Sequence, residues 1–342
     1  MALLFPFTET WWLYGLFVAA VLALLALDLG LFRREASETT VRAAAIWCAV
    51  WVSLALLFAA GLYQYARWRL PLDAGLTVRP GFDAETAAWQ VMLEFLAGYV
   101  VEYSLSVDNI FVFVLVLRYF AVPARYQYRV LLYGILGALV CRAVFIALGA
   151  ILLQVHWIVW LFGLFLIVTG VKMVFGGTDG VEPERNPVIR LTRRLLRVTA
   201  DFRGQRFVVH EGGRRWATPL LVALLCLEAS DIVFAIDSVP AIFALTREPF
   251  IVFTSNIFAI LGLRSMYFML GGAVERFHLL RYGLAVVLVF VGLKMVWLDA
   301  AFDGFPILWS LGIISGALLG AVVASLLVRP RGDGASAKEP VT

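Results

Sequence analysis

The chain has 342 residues, 62% hydrophobic and only 15% charged, with eleven Trp and a mean hydropathy of +0.90. Soluble domains average about 45–50% apolar and about 25% charged residues, so this composition excludes an ordinary soluble enzyme or binding domain and indicates a polytopic membrane protein. The formal net charge of +4 reflects loop charge that sets orientation in the membrane, not an affinity for nucleic acid.

Hydropathy places about nine transmembrane helices, near 12–31, 43–63, 90–117, 130–153, 157–175, 219–245, 250–273, 282–298 and 307–328. Each can cross about 30 Å of hydrocarbon as a helix, the eighth only narrowly. The chain then divides into two N-terminal helices with an outer loop (1–89), a three-helix segment (90–175), a basic cytoplasmic loop (176–217), a second three-helix segment (218–298), and a last helix with a polar tail (299–342). The first apolar run has no basic residues before it and is too long for a signal-peptide core, so it reads as an uncleaved helix. Cys48, Cys141 and Cys226 all fall within spans and supply neither a disulfide framework nor a Cys-x-x-Cys metal motif.

Orientation follows from the 28 basic residues. With the N-terminus outside, the cytoplasmic segments hold 20 of them and the outer segments only Arg67, Arg69, Arg79 and Arg247. Basic residues favour the cytoplasmic side, so the C-terminus is expected there and the protein in the cell inner (plasma) membrane. In the central loop, 187–198 sets Val188, Leu191, Leu195 and Val198 against Arg190, Arg193, Arg194 and Arg197 at helical spacing, either an interfacial helix or a basic loop that fixes topology. Residues 206–218, centred on Gly212-Gly213, read as a short hairpin, and 331–342 as a disordered tail.

The chain also matches itself. Residues 135–150 align with 257–272 at an offset of 122, placing Arg142 on Arg264, and Lys172 falls on Lys294 at the same offset. The first helices of the two segments align at an offset of 129, placing Glu102 on Asp231, Asp108 on Asp237 and Asn109 on Ser238. Three spans per copy is an odd number, so successive copies enter the membrane from opposite sides. The expected architecture is therefore an all-α polytopic membrane protein with a 3+3 inverted repeat and peripheral helices. In secondary transporters so built, the substrate site lies near the midplane at the repeat interface.

The matched first helices carry carboxylates where few belong, namely Glu102, Asp108, Glu228, Asp231 and Asp237. A charge at the bilayer centre costs roughly 2.5–3.5 kcal/mol, so such groups face a bundle interior and mark an ion path. Glu102 and Asp231 are expected near the middle of their helices, Asp108 toward the inner side and Asp237 toward the outer. Six residues turn a helix through about 600°, so Glu102 and Asp108 lie roughly 120° apart. Either each helix lends several faces to a cavity, or the helices break near the acids, as Pro240 suggests. Asn109, Ser230, Ser238 and Asn256 add oxygen donors, and oxygen suits Mg²⁺, Ca²⁺ and Mn²⁺, whereas zinc and copper sites usually include His or Cys. Five acids against Arg142 and Arg264 leave −3 if all are ionised, which one divalent ion reduces to −1, so metal/proton exchange balances the charge. The alternative is that the arginines hold the acids in ion pairs that only fix packing. Lys172 and Lys294, near helix ends, are expected to snorkel to the interface, and Glu94 and Asp28 to be solvated. Trp12, Trp157, Trp160 and Trp297 fit interfacial belts, and Gly134 with Gly137 close helix packing.

At these residues the chain resembles the TerC family of integral membrane proteins, with its tellurium-resistance and alkali-inducible members. The resemblance rests on Glu102-x5-Asp108-Asn-Ile-Phe-Val, on Glu228-x2-Asp231-x2-Phe234-Ala-Ile-Asp237-Ser-Val-Pro240-Ala-Ile-Phe243, and on Asn256-Ile-Phe-Ala-Ile-Leu-Gly-Leu-Arg264. It implies manganese efflux by a transporter-like fold. The expected function is export of divalent metal, Mn²⁺ foremost, with Glu102, Asp108, Asp231 and Asp237 as ligands, Glu228 as a gate or proton site, and Arg142 and Arg264 balancing charge. No resident cofactor is expected, because the metal is cargo. The expected partners are the divalent ion and the lipid bilayer, with self-association into a homo-oligomer open and nucleic acid excluded. No nucleophile–base pair, catalytic His or zinc motif lies within the spans, so an enzyme is not expected. The competing reading is a membrane interaction or assembly factor linked to tellurium resistance, whose acidic core is structural.

Overall fold

The computed structural model describes residues 3–32, 40–78, 81–175, 197–270, 279–302 and 304–328. Among them are nine helices long and apolar enough to cross a membrane, in agreement with the hydropathy reading. They are α1 (Phe7–Phe32), α2 (Val41–Arg69), α3 (Ala84–Tyr119), α4 (Ala124–Leu152), α5 (His156–Phe175), α6 (Pro219–Phe243), α7 (Pro249–Leu270), α8 (Leu280–Leu293) and α9 (Ile307–Leu327). After Leu293, α8 continues through a π turn, Lys294–Leu298, and one further turn, Asp299–Ala301. Most of 187–198, the tail 331–342 and the side chain of Asp28 lie outside the described residues.

Local chemistry sets the helix starts. Thr40 Oγ1 accepts from Ala43 N at 3.3 Å ahead of α2, and Asp83 Oδ2 accepts from Thr86 N at 2.8 Å ahead of α3, each satisfying a donor that the first turn leaves free. α6 and α7 both begin with proline, which lacks the N–H that a first turn cannot use. The 36 residues of α3 reach about 54 Å, well beyond the hydrocarbon thickness, so this helix tilts or projects past it. The expected hairpin is present: Val208–Glu211 pairs antiparallel with Arg214–Ala217, joined by Gly212 and Gly213 at φ 59° and 72°. A two-residue turn with both central φ positive matches strand twist and suits glycine.

α7 is the centre of the bundle, its membrane window buried along its whole length. It packs against α3, α4 and α2. Aromatic rings fix it to the outer helices, with Phe58 of α2 centred 4.9 Å from Phe258 and 5.2 Å from Phe95 of α3. Contacts between the two three-helix segments are reciprocal: α3 on α7 is matched by α6 on α4, α5 on α6 by α8 on α3, and α5 packs on α8. At this last contact a Cβ on Gly292 would lie 2.6 Å from the Gly163 carbonyl oxygen, and one on Gly170 would lie 2.8 Å from that of Ala285. Positions 163 and 170 fall on 285 and 292 at the offset of 122, so the two close approaches exchange with each other, as a two-fold relation between the segments requires.

Three expectations change here. Pro240 does not break α6, which continues to Phe243; the proline leaves only the Ile236 carbonyl without its helical donor, and the helix ends three residues later. α3 also runs unbroken past Glu102 and Asp108, so the acids reach different surroundings by using different faces. Glu94 is buried, accepting from Gln90 Nε2 at 2.8 Å and from the Thr246 hydroxyl. Lys294 is buried as well, its Nζ donating to the Ala244 carbonyl at 2.8 Å and pairing with Asp299 at 2.9 Å.

Glu94 belongs to a cluster that anchors the N-terminus. Glu248, just before α7, accepts from the backbone N–H of Leu4 at 2.6 Å and of Phe5 at 3.1 Å, and its own N–H donates to Thr246 Oγ1 at 3.2 Å. Burial pushes the Glu248 carboxyl up from 4.5 to about 7, the nearby Glu94 charge adding to the rise and the two backbone donors opposing it. The folded state thus holds this proton more tightly than the unfolded chain. Stability from this group is fully present below about pH 4.5 and lost as pH rises through about 7, a change on the order of 3 kcal/mol. Hydrogen exchange at Leu4 and Phe5 should therefore accelerate between pH 5 and pH 8 in the wild type. Glu248→Gln, which keeps an acceptor oxygen but does not titrate, should flatten that dependence after correction for the intrinsic rate.

Candidate functional site

Arg142 of α4 is 1% exposed, and its guanidinium joins three helices. It forms an ion pair with Glu102 of α3, and Nη2 and Nε lie 3.0 and 3.4 Å from the two carboxylate oxygens of Asp231 of α6. Nη1 donates to Ser238 Oγ of α6 and to Asn256 Oδ1 of α7, both at 3.3 Å. The aligned acids Glu102 and Asp231 therefore meet, as expected, with one arginine between them. Full burial of so many polar groups is tolerable because the planar guanidinium offers five donors in a fixed fork. Glu102 Oε2 and Asn256 Nδ2 remain buried without a hydrogen-bond partner. Arg264, the aligned partner of Arg142, is also buried, its guanidinium 4.8 Å above the Tyr128 ring.

Asp108 and Asp237 are elsewhere. They line one cavity of about 470 Å³ between α3, α5, α6 and α8, together with Asn109, Ser238, Lys172 and Arg281. Neither carboxylate makes a hydrogen bond or ion pair among the described residues. The expectation that they lie toward opposite faces is replaced by a shared chamber, because α3 and α6 pack directly on each other. Ser238 belongs to both places, accepting from Arg142 while lining the cavity. A second hollow, about 360 Å³ beside Leu308, Trp309, Gly312 and Ile313 of α9, is an apolar crease that offers no chemistry.

Glu228 is half-buried against α4, where a Cβ on Gly137 would overlap its carboxylate. Gly137 thus makes room for an acid rather than for a neighbouring helix. Ser230 turns away from the site, its hydroxyl donating to the Cys226 carbonyl at 2.9 Å one turn back. Sequence reasoning missed Thr169, Lys172 and Arg281 in the cavity and buried Ser106, whose hydroxyl has no partner. Lys172 is visible in the sequence as a repeat-matched intramembrane cation, but its place near a helix end points to the interface. Among the described residues no three His, Cys, Asp or Glu side chains are grouped to hold a metal; the acids come in pairs.

Helical spans, an arginine-bridged acid pair and a cavity that carries two further carboxylates between two similar segments define a multi-pass integral membrane protein with an ionisable core. Residues 87–333 match the Integral membrane protein TerC family, and the chain belongs to that family. It is 49% identical over 324 residues to "Uncharacterized membrane protein STKORF319" of Myxococcus xanthus, covering 94% of each chain. It is 46% identical over 323 residues to "Putative membrane-bound redox modulator Alx" of Escherichia coli (strain K12), covering 94% of this chain and 96% of the relative. An "Uncharacterized membrane protein" of Rickettsia felis is 34% identical over 313 residues, covering 91% of this chain and 96% of that one. No solved structure matches.

Removing Arg142 would leave Glu102 and Asp231 buried and uncompensated. Arg142→Gln should lower the stability of the detergent-purified protein by about 3–5 kcal/mol, read as a fall in the thermal unfolding midpoint. Adding Glu102→Gln to it should recover part of the loss.

Proposed function

We infer that this protein is a secondary transporter that exports divalent metal ions from the cytoplasm, Mn²⁺ foremost, with Asp108 and Asp237 receiving the cargo. The observation that carries the reading is that these aligned carboxylates share a cavity inside the membrane span with no hydrogen-bond or ion-pair partner among the described residues. Carboxylates without a partner at that depth are costly unless an ion or proton neutralises them. Glu102 and Asp231 share the single positive charge of Arg142, so they act as ligands only if that pairing opens.

Two carboxylates with Asn109 and Ser238 form an all-oxygen donor set that suits a hard cation. Ions of the Mg²⁺ type keep several waters and use one or two carboxylates. At about 30 Å³ per water, the cavity has room for roughly fifteen waters, enough for an ion with its shell. Metal binding displaces protons from the carboxylates, which gives a route to metal/proton exchange; Glu228, half-buried on the adjoining face, is the assigned gate or proton site. Reciprocal packing of the two segments supports an inverted repeat, in which one segment rocks against the other. In this reading the protein sits in the plasma membrane with its N-terminus outside and its C-terminus in the cytoplasm, as the loop charge favours, and its activity is transport rather than catalysis.

The name of the Escherichia coli relative suggests a redox role. In this chain such a role would fall to Cys48, Cys141 and Cys226, which are free thiols on α2, α4 and α6, with Cys48 and Cys226 buried. Replacing all three by Ala should leave metal transport within about twofold of wild type, since substitutions away from a site are usually near neutral.

The central test is Mn²⁺ efflux from proteoliposomes over a range of pH gradients. Asp108→Asn and Asp237→Asn should each reduce transport at least about tenfold in protein that still inserts and folds, because each removes a charge facing the ion. Undiminished transport in both variants rejects the reading.

A further inference from the structure

We propose that Lys172 and Arg281 are tethered counter-cations of the cavity: they neutralise Asp108 and Asp237 while it is empty, and the incoming divalent ion must displace them. This rests on the transport reading above and names the device that controls loading of the same site. All four charged side chains line one cavity. Asp108 and Asp237 contribute −2, and Lys172 and Arg281 contribute +2, so the empty chamber sums to zero. A divalent ion beside both basic groups would leave +2 in a membrane interior. Loading therefore requires the basic groups to withdraw.

Their positions permit that withdrawal. Lys172 is in the last turn of α5, is exposed, and makes no hydrogen bond or ion pair among the described residues. A four-carbon stem so near a helix end can carry its ammonium from the cavity to the interface. Snorkelling, expected from sequence as a fixed position, becomes one of two positions. Arg281, in the first turn of α8, is held more loosely than a structural arginine: Nη2 donates to Tyr282 at 2.7 Å and the guanidinium lies 4.7 Å from that ring, while Nε is buried without a partner. Lys294, aligned with Lys172, shows the contrast, since it is locked by the Ala244 carbonyl and Asp299.

Competition of this kind weakens cargo binding and speeds release, so deleting a competitor tightens binding. The test is Mn²⁺ binding to the full chain in nanodiscs, measured by equilibrium dialysis, for wild type, Lys172→Met, Arg281→Gln, Lys172→Arg and the double variant Asp108→Asn/Asp237→Asn. Lys172→Met and Arg281→Gln should each lower Kd about tenfold or more, and Lys172→Arg, which keeps the charge, should stay within about twofold of wild type. Unchanged or weaker binding in both Lys172→Met and Arg281→Gln overturns the proposal, as does equal tightening in Lys172→Arg. If the double Asn variant loses Mn²⁺ while both charge deletions leave Kd unchanged, the transport reading stands and the counter-cation role falls. Retention of full Mn²⁺ affinity by the double Asn variant, or no Mn²⁺ binding by any form, overturns both.

Discussion

The organisation of this membrane core depends on how a buried guanidinium distributes its donors. Arg142 faces Glu102, Asp231, Ser238 and Asn256, contributed by three different helices. In a low-dielectric interior none of these groups can turn to bulk water, so the pairing is costly to break even where its net contribution to stability is small. The constraint is geometric as well as energetic. A fork-shaped cation between α3, α4, α6 and α7 fixes the rotation of those helices about their axes, and that rotation carries Asp108 and Asp237 into the neighbouring chamber.

Two tiers of acid result. Glu102 and Asp231 are paired inside the protein with one arginine, whereas Asp108 and Asp237 are left for something mobile. Six residues along each helix, about 120° in angle, separate the tiers, and Ser238 connects them by lining the cavity while bonding Arg142. Changes of charge in the chamber can therefore reach the buried pair through one hydroxyl. That proximity gives Ser238 more importance than a neutral side chain usually carries, while Asn256 shares the task of satisfying the arginine.

Much of this was legible in the sequence, and what was not has physical reasons. Hydropathy locates the nine membrane-length helices found among the described residues, because the bilayer demands long apolar runs. The Gly212-Gly213 hairpin followed from turn chemistry, and the aligned pairs Glu102/Asp231 and Asp108/Asp237 meet as pairs in space. The fate of individual polar groups was less accessible. Glu94 was placed in solvent because it lies near the end of a span, but its partners Gln90 and Thr246 include one 152 residues away. Pro240 suggested a break because a sequence shows a proline's position but not where its helix will end. Glu228 found its place through Gly137, an absence of side chain on another helix that no spacing rule connects to it.

The two lysines show how near-identical segments acquire different duties. Gly170-Val-Lys172-Met-Val and Gly292-Leu-Lys294-Met-Val match closely, yet Lys294 is buried and bonded while Lys172 is exposed to the cavity. The difference lies five residues on, where the second segment has Asp299 and the first has Gly177. The π turn over Lys294–Leu298 takes up an extra residue and sets Asp299 beside the ammonium at 2.9 Å, a use of π geometry common where side chains must be re-aimed. One acidic residue and one irregular turn thus hold the lysine of the second segment in place. The first segment has a glycine at the matched position, and its lysine makes no ion pair among the described residues.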